Sequence, residues 1–134
     1  GPEVLVAEMA HEGIEMLLGA RRDPQFGPVV IIGFGGVYAE VLQDVSFLLP
    51  PFDATAAKRH LDRLRLRPLL AGARGKPAAN VDGFCEMAAA FSAMIHALAD
   101  VVAEVDVNPV IVTDTSAVAV DALIITENPQ GKTP

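Results

Sequence analysis

The chain has 134 residues, 51% of them hydrophobic but only 5% aromatic, one cysteine, and a formal net charge of −7. That length suits one compact domain with a core of small aliphatic side chains, needing no disulfide or metal staple. The acidic balance argues against general nucleic-acid binding, the lone Cys85 excludes a disulfide framework and fits the cytoplasm, and no run approaches the roughly 18 apolar residues that a membrane span requires.

In chain order, EVLVAEMA (3–10) reads as a short strand and GIEMLLGARRD (13–23) as a second, with His11-Glu12-Gly13 as the turn between them. DPQFGP (23–28) is a loop. VVIIGFGG (29–36) is a buried strand running into a glycine turn, and VYAEVLQDVSFLLPP (37–51) alternates until Pro50-Pro51 stops it. Asp53 can cap a helix over 54–66, with Ala57, Leu61 and Leu64 at helical spacing. After a loop at 72–83, Phe84, Met87, Phe91, Ile95 and Leu98 recur at three- and four-residue steps and mark a second helix, whose stripe is core. Cys85, within that helix, reads as a buried inert thiol. Strands at 103–112 and 117–126 close the domain, and NPQGKTP (128–134) is a tail.

Short connections between consecutive strands imply antiparallel pairing. The expected fold class is α+β: a mostly antiparallel sheet with two main helices packed on one face, forming a single domain over 3–127. Seven of the ten basic residues fall between Lys58 and Lys76, which is either a solvated helix face or an anion-attracting patch. His11, His60 and His96 read as structural or solvated.

The C-terminal hairpin, VVAEVDVNPVIVTDTSAVAVDALIITE, places polar groups within a run of valines and isoleucines. Glu104, Asp106 and Asn108 are two apart and share one face of a strand. A symmetric turn centred on Asp114-Thr115 puts Asn108 directly opposite Asp121 and Asp106 opposite Leu123, with opposed Cβ atoms about 4.5–5.5 Å apart. A three-residue loop would shift the register by one and separate them. Two readings fit: a hairpin with one wet face, or a site for a hard cation such as Mg²⁺, which takes one or two protein oxygens and completes its shell with phosphate and water.

EVDVNPVIV followed by AVAVDALI resembles the end of the ATP-grasp domain in NDP-forming (ADP-forming) acyl-CoA synthetases, relatives of the succinyl-CoA synthetase β subunit. VLVAEM, GIEMLLGARRDPQFGPVVIIGFGGVYAEVLQDVSFLLPP and LLAGARG follow the same family pattern in order, so the resemblance covers nearly the whole chain. It implies the C-terminal lobe of an ATP-grasp domain that handles ATP/ADP and Mg²⁺. Position by position, it implies Asn108 and Asp121 as Mg²⁺ ligands and Asp106 as an acid that helps handle the phosphoryl-carrying histidine of a partner domain. Glu8 and Met9 match the hinge whose backbone meets adenine, Glu15 matches the glutamate on the ribose hydroxyls, and Gly33, Gly35 and Gly36 match a glycine loop beside the phosphates. Leu123 departs from the pattern, which often carries Arg or Lys nearby.

The resemblance further implies two partners, an N-terminal ATP-grasp lobe and a CoA-binding phosphohistidine domain, on the same or another chain. The expected reaction is acid + CoA + ATP giving acyl-CoA + ADP + phosphate, with this lobe inactive alone. The rival expectations are a regulatory region of a protein acetyltransferase that senses acyl-CoA or nucleotide, and a non-catalytic interaction module.

Overall fold

The computed structural model describes residues 13–36, 41–72, 75 and 77–127. The expected strand at 3–10, its turn through His11 and Glu12, and the 128–134 tail lie outside them. Among the described residues, six strands and two α-helices follow in the order β1 (Ile14–Asp23), β2 (Gly27–Phe34), β3 (Val45–Leu48), α1 (Ala54–Leu61), a 3₁₀ turn (Arg67–Ala71), α2 (Val81–Ala97), β4 (Val102–Val112), β5 (Ala117–Ala119) and β6 (Ala122–Thr126). The sheet runs β3-β2-β1-β4-β5, with β6 also on β4, and all these pairings are antiparallel. The α+β architecture expected from the sequence is the one observed. Among the described residues no helix is long and apolar enough to cross a membrane.

Strand periodicity sorts the side chains. Met16, Leu18 and Ala20 of β1 and Val30, Ile32 and Phe34 of β2 point to one face and are buried. Both helices cover that face, where Phe84, Cys85, Ala88, Phe91 and Ile95 of α2 and Ala57 and Leu61 of α1 complete a single cluster. Each fully buried Phe or Leu there contributes about 1.5–3 kcal/mol. Burial, helped by nearby Asp82, pushes the Cys85 thiol up to about 11, so it stays protonated and inert.

One irregularity keeps β4 in phase with this core. Between the pairs Met16↔Val110 and Leu18↔Val107 the register shifts, so that Leu17 alone faces Asn108 and Pro109. This β-bulge places Val105 and Val107 before it, and Val110 and Val112 after it, on the same buried face. At the far end of β1, the Arg22 guanidinium donates to the carbonyls of Ala99 and Val102 and pairs with Glu127, fastening the start of β4 and the end of β6 to β1.

Several element boundaries differ from expectation. Of the expected 37–51 strand, the described residues from 41 on keep only Val45–Leu48: Gln43 adopts a left-handed φ of 48°, and Asp44 is withdrawn into the interior, 6% exposed. The Asp44 carboxylate accepts the N–H groups of Arg65 (2.9 Å) and Leu66 (2.8 Å). Those donors are thereby diverted from helical bonding, and α1 ends at Leu61 instead of 66. A 3₁₀ turn carrying Pro68 follows, where no element was expected. α2 starts at Val81 within the expected loop, because Asn80 caps it by accepting the Gly83 N–H at 3.0 Å. The 117–126 strand divides into β5 and β6 opposite Pro109, which has no N–H to donate across the ladder.

The basic segment is partly self-neutralised. Asp62 receives Arg67 at 2.7 Å and Lys58 at 3.2 Å, and the Arg67 hydrogen bond leads in holding its carboxyl below the usual range. Arg59, Arg63 and Arg65 are exposed, and Arg74 and Lys76 lie outside the described residues.

Two predictions arise here. Asp44→Ala leaves two backbone donors without their acceptor and is expected to lower stability by about 3 kcal/mol, read from urea unfolding. His60 pairs with Ser46 (Nδ1···Oγ 2.7 Å), and burial, then Arg63 and Arg59, lower its pKa below the ordinary 6.5. The unfolded chain therefore takes up a proton first, so stability is full above that value and falls as pH drops through it. Unfolding midpoints at about pH 7.5 and about pH 5.5 should differ in the wild type and converge in His60→Asn.

Candidate functional site

The face of the sheet away from the helices carries the polar residues singled out in the sequence. Along β1 it presents Glu15, Leu17, Gly19 and Arg21; β4 sets Ile111 opposite Glu15, Asp106 opposite Gly19, and Glu104 opposite Arg21. On its other side β4 pairs Asp106 with Leu123 and Glu104 with Ile125, so the expected hairpin register is the observed one. Thr113 and Ser116 close the turn through Thr113 N–H to the Ser116 carbonyl (2.9 Å) and a hydroxyl pair (2.8 Å).

Asn108 and Asp121 meet where the bulge and the β5–β6 break coincide. The Asn108 N–H donates to the Asp121 carbonyl at 3.2 Å, and the Val120 N–H donates to the Pro109 carbonyl at 3.0 Å. The Asp121 carboxylate accepts the Ala122 N–H at 2.9 Å, which steadies one oxygen and leaves the other exposed. Two oxygen-bearing side chains thus emerge from adjacent strands at one irregular spot.

The glycines explain how the turn after β2 fits against them. The Gly35 N–H donates to the Glu15 carbonyl at 2.8 Å. A Cβ on Gly35 would lie 2.9 Å from Asn108 Oδ1 and 3.0 Å from the Met16 carbonyl oxygen. A Cβ on Gly36, whose φ is +62°, would lie 2.5 Å from Glu15 Oε2. The space that two side chains would fill is therefore held by the Asn108 carboxamide and the Glu15 carboxylate. Gly33 differs: it lies within β2, and a Cβ there would meet the Asp44 carbonyl oxygen at 2.5 Å, so it serves the close approach of β3. Glu15, Gly35, Gly36, Asn108 and Asp121 form one constellation; Asp106 stands further along the same face; Glu8 and Met9 lie outside the described residues.

Among the described residues, no Lys or Arg pairs with Glu15, Asp106, Asn108 or Asp121. Nor do these residues contain a cluster of three or more His, Cys, Asp or Glu placed to hold a metal. Asn108 and Asp121 offer two hard oxygens, a set suited to a divalent cation that brings its remaining ligands with it.

Sequence reasoning missed the support. Asp44 ties this region together: its carbonyl accepts the Phe34 N–H (3.1 Å) immediately before Gly35, while its carboxylate holds the turn after α1. The available signal was an acid at the mouth of an apolar strand. Gly35→Ala should destabilise the chain by about 1–3 kcal/mol, measured by urea unfolding, because the Met16 carbonyl is backbone and cannot move aside.

Residues 2–126 match the ATP-grasp domain family. The chain is 42% identical over 126 residues to a trans-feruloyl-CoA synthase from an unknown prokaryotic organism, covering 92% of this chain and 18% of that protein. It is 38% identical over 124 residues to the acetate–CoA ligase [ADP-forming] II subunit beta of Pyrococcus furiosus, covering 91% of this chain and 52% of that subunit. The chain thus spans about half of that subunit and under a fifth of the synthase. The dinucleotide forming acetyl-coenzyme A synthetase 1 of Ca. Korarchaeum cryptofilum superposes with a TM-score of 0.78 at 36% identity, over 86% of this chain and 54% of that one. That structure holds coenzyme A and Mg-AMPPCP, with its phosphohistidine segment pointing towards the nucleotide binding site.

Proposed function

The chain belongs to the ATP-grasp domain family, and on that premise we propose that it supplies the nucleotide- and Mg²⁺-binding half-site of an ADP-forming acyl-CoA synthetase. The observation that carries this reading is the fit of the Asn108 carboxamide and the Glu15 carboxylate into the spaces left by Gly35 and Gly36, with Asp121 on the adjacent strand. The reaction joins an acid to CoA at the expense of ATP, releasing ADP and phosphate. An N-terminal ATP-grasp lobe and a CoA-binding, histidine-bearing domain complete the enzyme. The buried thiol of Cys85 is in keeping with the cytoplasm.

Asn108 Oδ1 and the Asp121 carboxylate would hold Mg²⁺, which when bound neutralises charge on the transferring phosphate oxygens. Gly35 leaves the space that the carboxamide oxygen occupies, which a Cβ would crowd at 2.9 Å. Glu15 offers two acceptor oxygens to the adjacent ribose hydroxyls, and Glu8 and Met9 would meet the adenine. Gly35 and Gly36 make room for the Asn108 and Glu15 side chains in the turn that would lie beside the phosphates, and Gly33 supports that turn from within β2. During transfer, an imidazole nitrogen of the partner histidine bonds to the γ-phosphorus as its bond to the bridging oxygen breaks and ADP leaves. Asp106 accepts the other ring N–H and stabilises the positive charge developing on the ring.

Asp121 is exposed, so Asp121→Ala should leave stability within about 0.5 kcal/mol of wild type. In the assembled synthetase it should weaken Mg-ATP binding by more than the roughly 10–100-fold that losing a mere supporting residue costs. Isothermal titration with Mg-ATP beside steady-state turnover makes the comparison. Equal binding and turnover in wild type and variant would overturn the assignment.

A further inference from the structure

Among the described residues β6 pairs with β4 alone, so its other side is a free edge of the sheet. Proteins ordinarily blunt such an edge with charge, proline or shortness, because its open backbone groups invite another strand. β3, at the opposite edge, has four residues, runs into Pro50-Pro51 and carries Ser46 engaged by His60. β6 has no such device: Ala122–Thr126 reads ALIIT, without charge or proline. Leu123 and Ile125 lie on the helix-free face, opposite Asp106 and Glu104, and Ile124 lies on the helix side, opposite the buried Val105. These three are exposed by 62%, 45% and 55% in that order, so the strand is apolar on both faces at the rim of the sheet.

The backbone fixes what can join it. The Asn108 N–H donates to the Asp121 carbonyl at 3.2 Å, and the Glu127 N–H donates to the Val101 carbonyl at 2.8 Å, so the odd-numbered residues of this segment turn their backbone groups toward β4. Ala122, Ile124 and Thr126 therefore turn theirs outward. The Ala122 N–H is already taken by the Asp121 carboxylate at 2.9 Å. The Ala122 carbonyl and both groups of Ile124 and Thr126 stay open, and that set is self-complementary. In an antiparallel pair of two β6 strands centred on Ile124, each Ile124 N–H meets the Ile124 carbonyl of the other copy, and each Thr126 N–H meets an Ala122 carbonyl. Leu123 then faces Ile125 of the other copy on one face, and the two Ile124 side chains meet on the other. Of the acids flanking the strand, Glu127 is already held by Arg22, which tempers its approach to Asp121 of the other copy. Leu98 and Val101, both exposed, extend the apolar rim past the end of β6.

We propose that the free edge of β6 is a dimerisation surface whose occupant is β6 of a second copy of this chain, paired antiparallel about a two-fold axis at Ile124, so that the two sheets run on as one. The contact is isologous and closes on itself, giving a dimer and not a fibre. It uses backbone groups that point away from β4 and so leaves the β4–β6 ladder intact.

The test uses the full-length subunit that contains this chain, as wild type, as Ile124→Lys, as Ile124→Glu, and as an equimolar mixture of the two variants. Sedimentation velocity over about 1–100 µM gives the mass, and deuterium exchange gives the protection of segment 122–126. The wild type should dimerise, with exchange in that segment slowing as the dimer fills. Each variant alone sets like charges against each other across the axis and should self-associate at least about 100-fold more weakly, while the mixture recovers the dimer. A wild type that stays monomeric overturns the proposal, whether the segment exchanges freely or is protected by another part of the subunit. A dimer that survives in both variants uses another surface and overturns it too, as does a mixture no better associated than its components. Should the charged variants not fold, Ile124→Pro decides, since it removes only an outward N–H: a monomer supports the proposal, and a dimer refutes it.

Discussion

At Asn108-Pro109 the strand β4 sets two residues against one of its neighbour, and the rest of the molecule depends on that mismatch. Strand side chains alternate, so a residue on the core face at position 107 would ordinarily imply 109 and 111 beside it. The extra residue reverses the parity, and Val110 and Val112 join Val105 and Val107 under the helices. Asn108, next to Val107, falls by ordinary alternation on the side of the sheet that no helix covers. Hydrophobic burial therefore holds in place a local disruption that a flat ladder would remove, and the polar constellation stands where the ladder is weakest.

The architecture was legible in the sequence because its signals are strong and local. Two-residue alternation marked β1 and β2, and three- and four-residue steps marked α2. A symmetric turn at Asp114-Thr115 fixed the hairpin register, which places Asn108 across from Asp121. What could not be read was set by contacts distant in sequence. Asp44 ends α1 early by taking backbone donors about twenty residues away, and nothing within 54–66 announces it. The division of the last strand depends on Pro109 in the opposite one. The site divides in the same way. The polar residues were visible as interruptions of apolar runs, and their roles came from resemblance to a family. The manner in which Gly35 and Gly36 receive the Asn108 and Glu15 side chains is a matter of three-dimensional fit.

The apolar core and the polar constellation fall on opposite faces of one sheet. The helix side holds the buried Phe, Leu and Val residues together with the inert thiol, while the free side holds the acids and the amide. A strand serves both, with adjacent residues pointing apart: Val105 and Val107 pack inward while Asp106 between them faces out. Changing an outward residue thus leaves the packing beneath it untouched, and the two faces can vary separately in sequence.

The chain position of the paired strands has one more consequence, for the cost of assembly. β1 and β2 form a tight hairpin, and β4 folds back through a short turn onto β5 and then β6, whereas β1 meets β4 across nearly the whole length of the domain. Closing that long loop carries the largest entropic cost of these pairings. Glu15 stands on one side of the closure and Asn108 on the other. The constellation exists only where that long-range pairing has formed, so anything that bound across Glu15 and Asn108 would hold the two ends of the closure together.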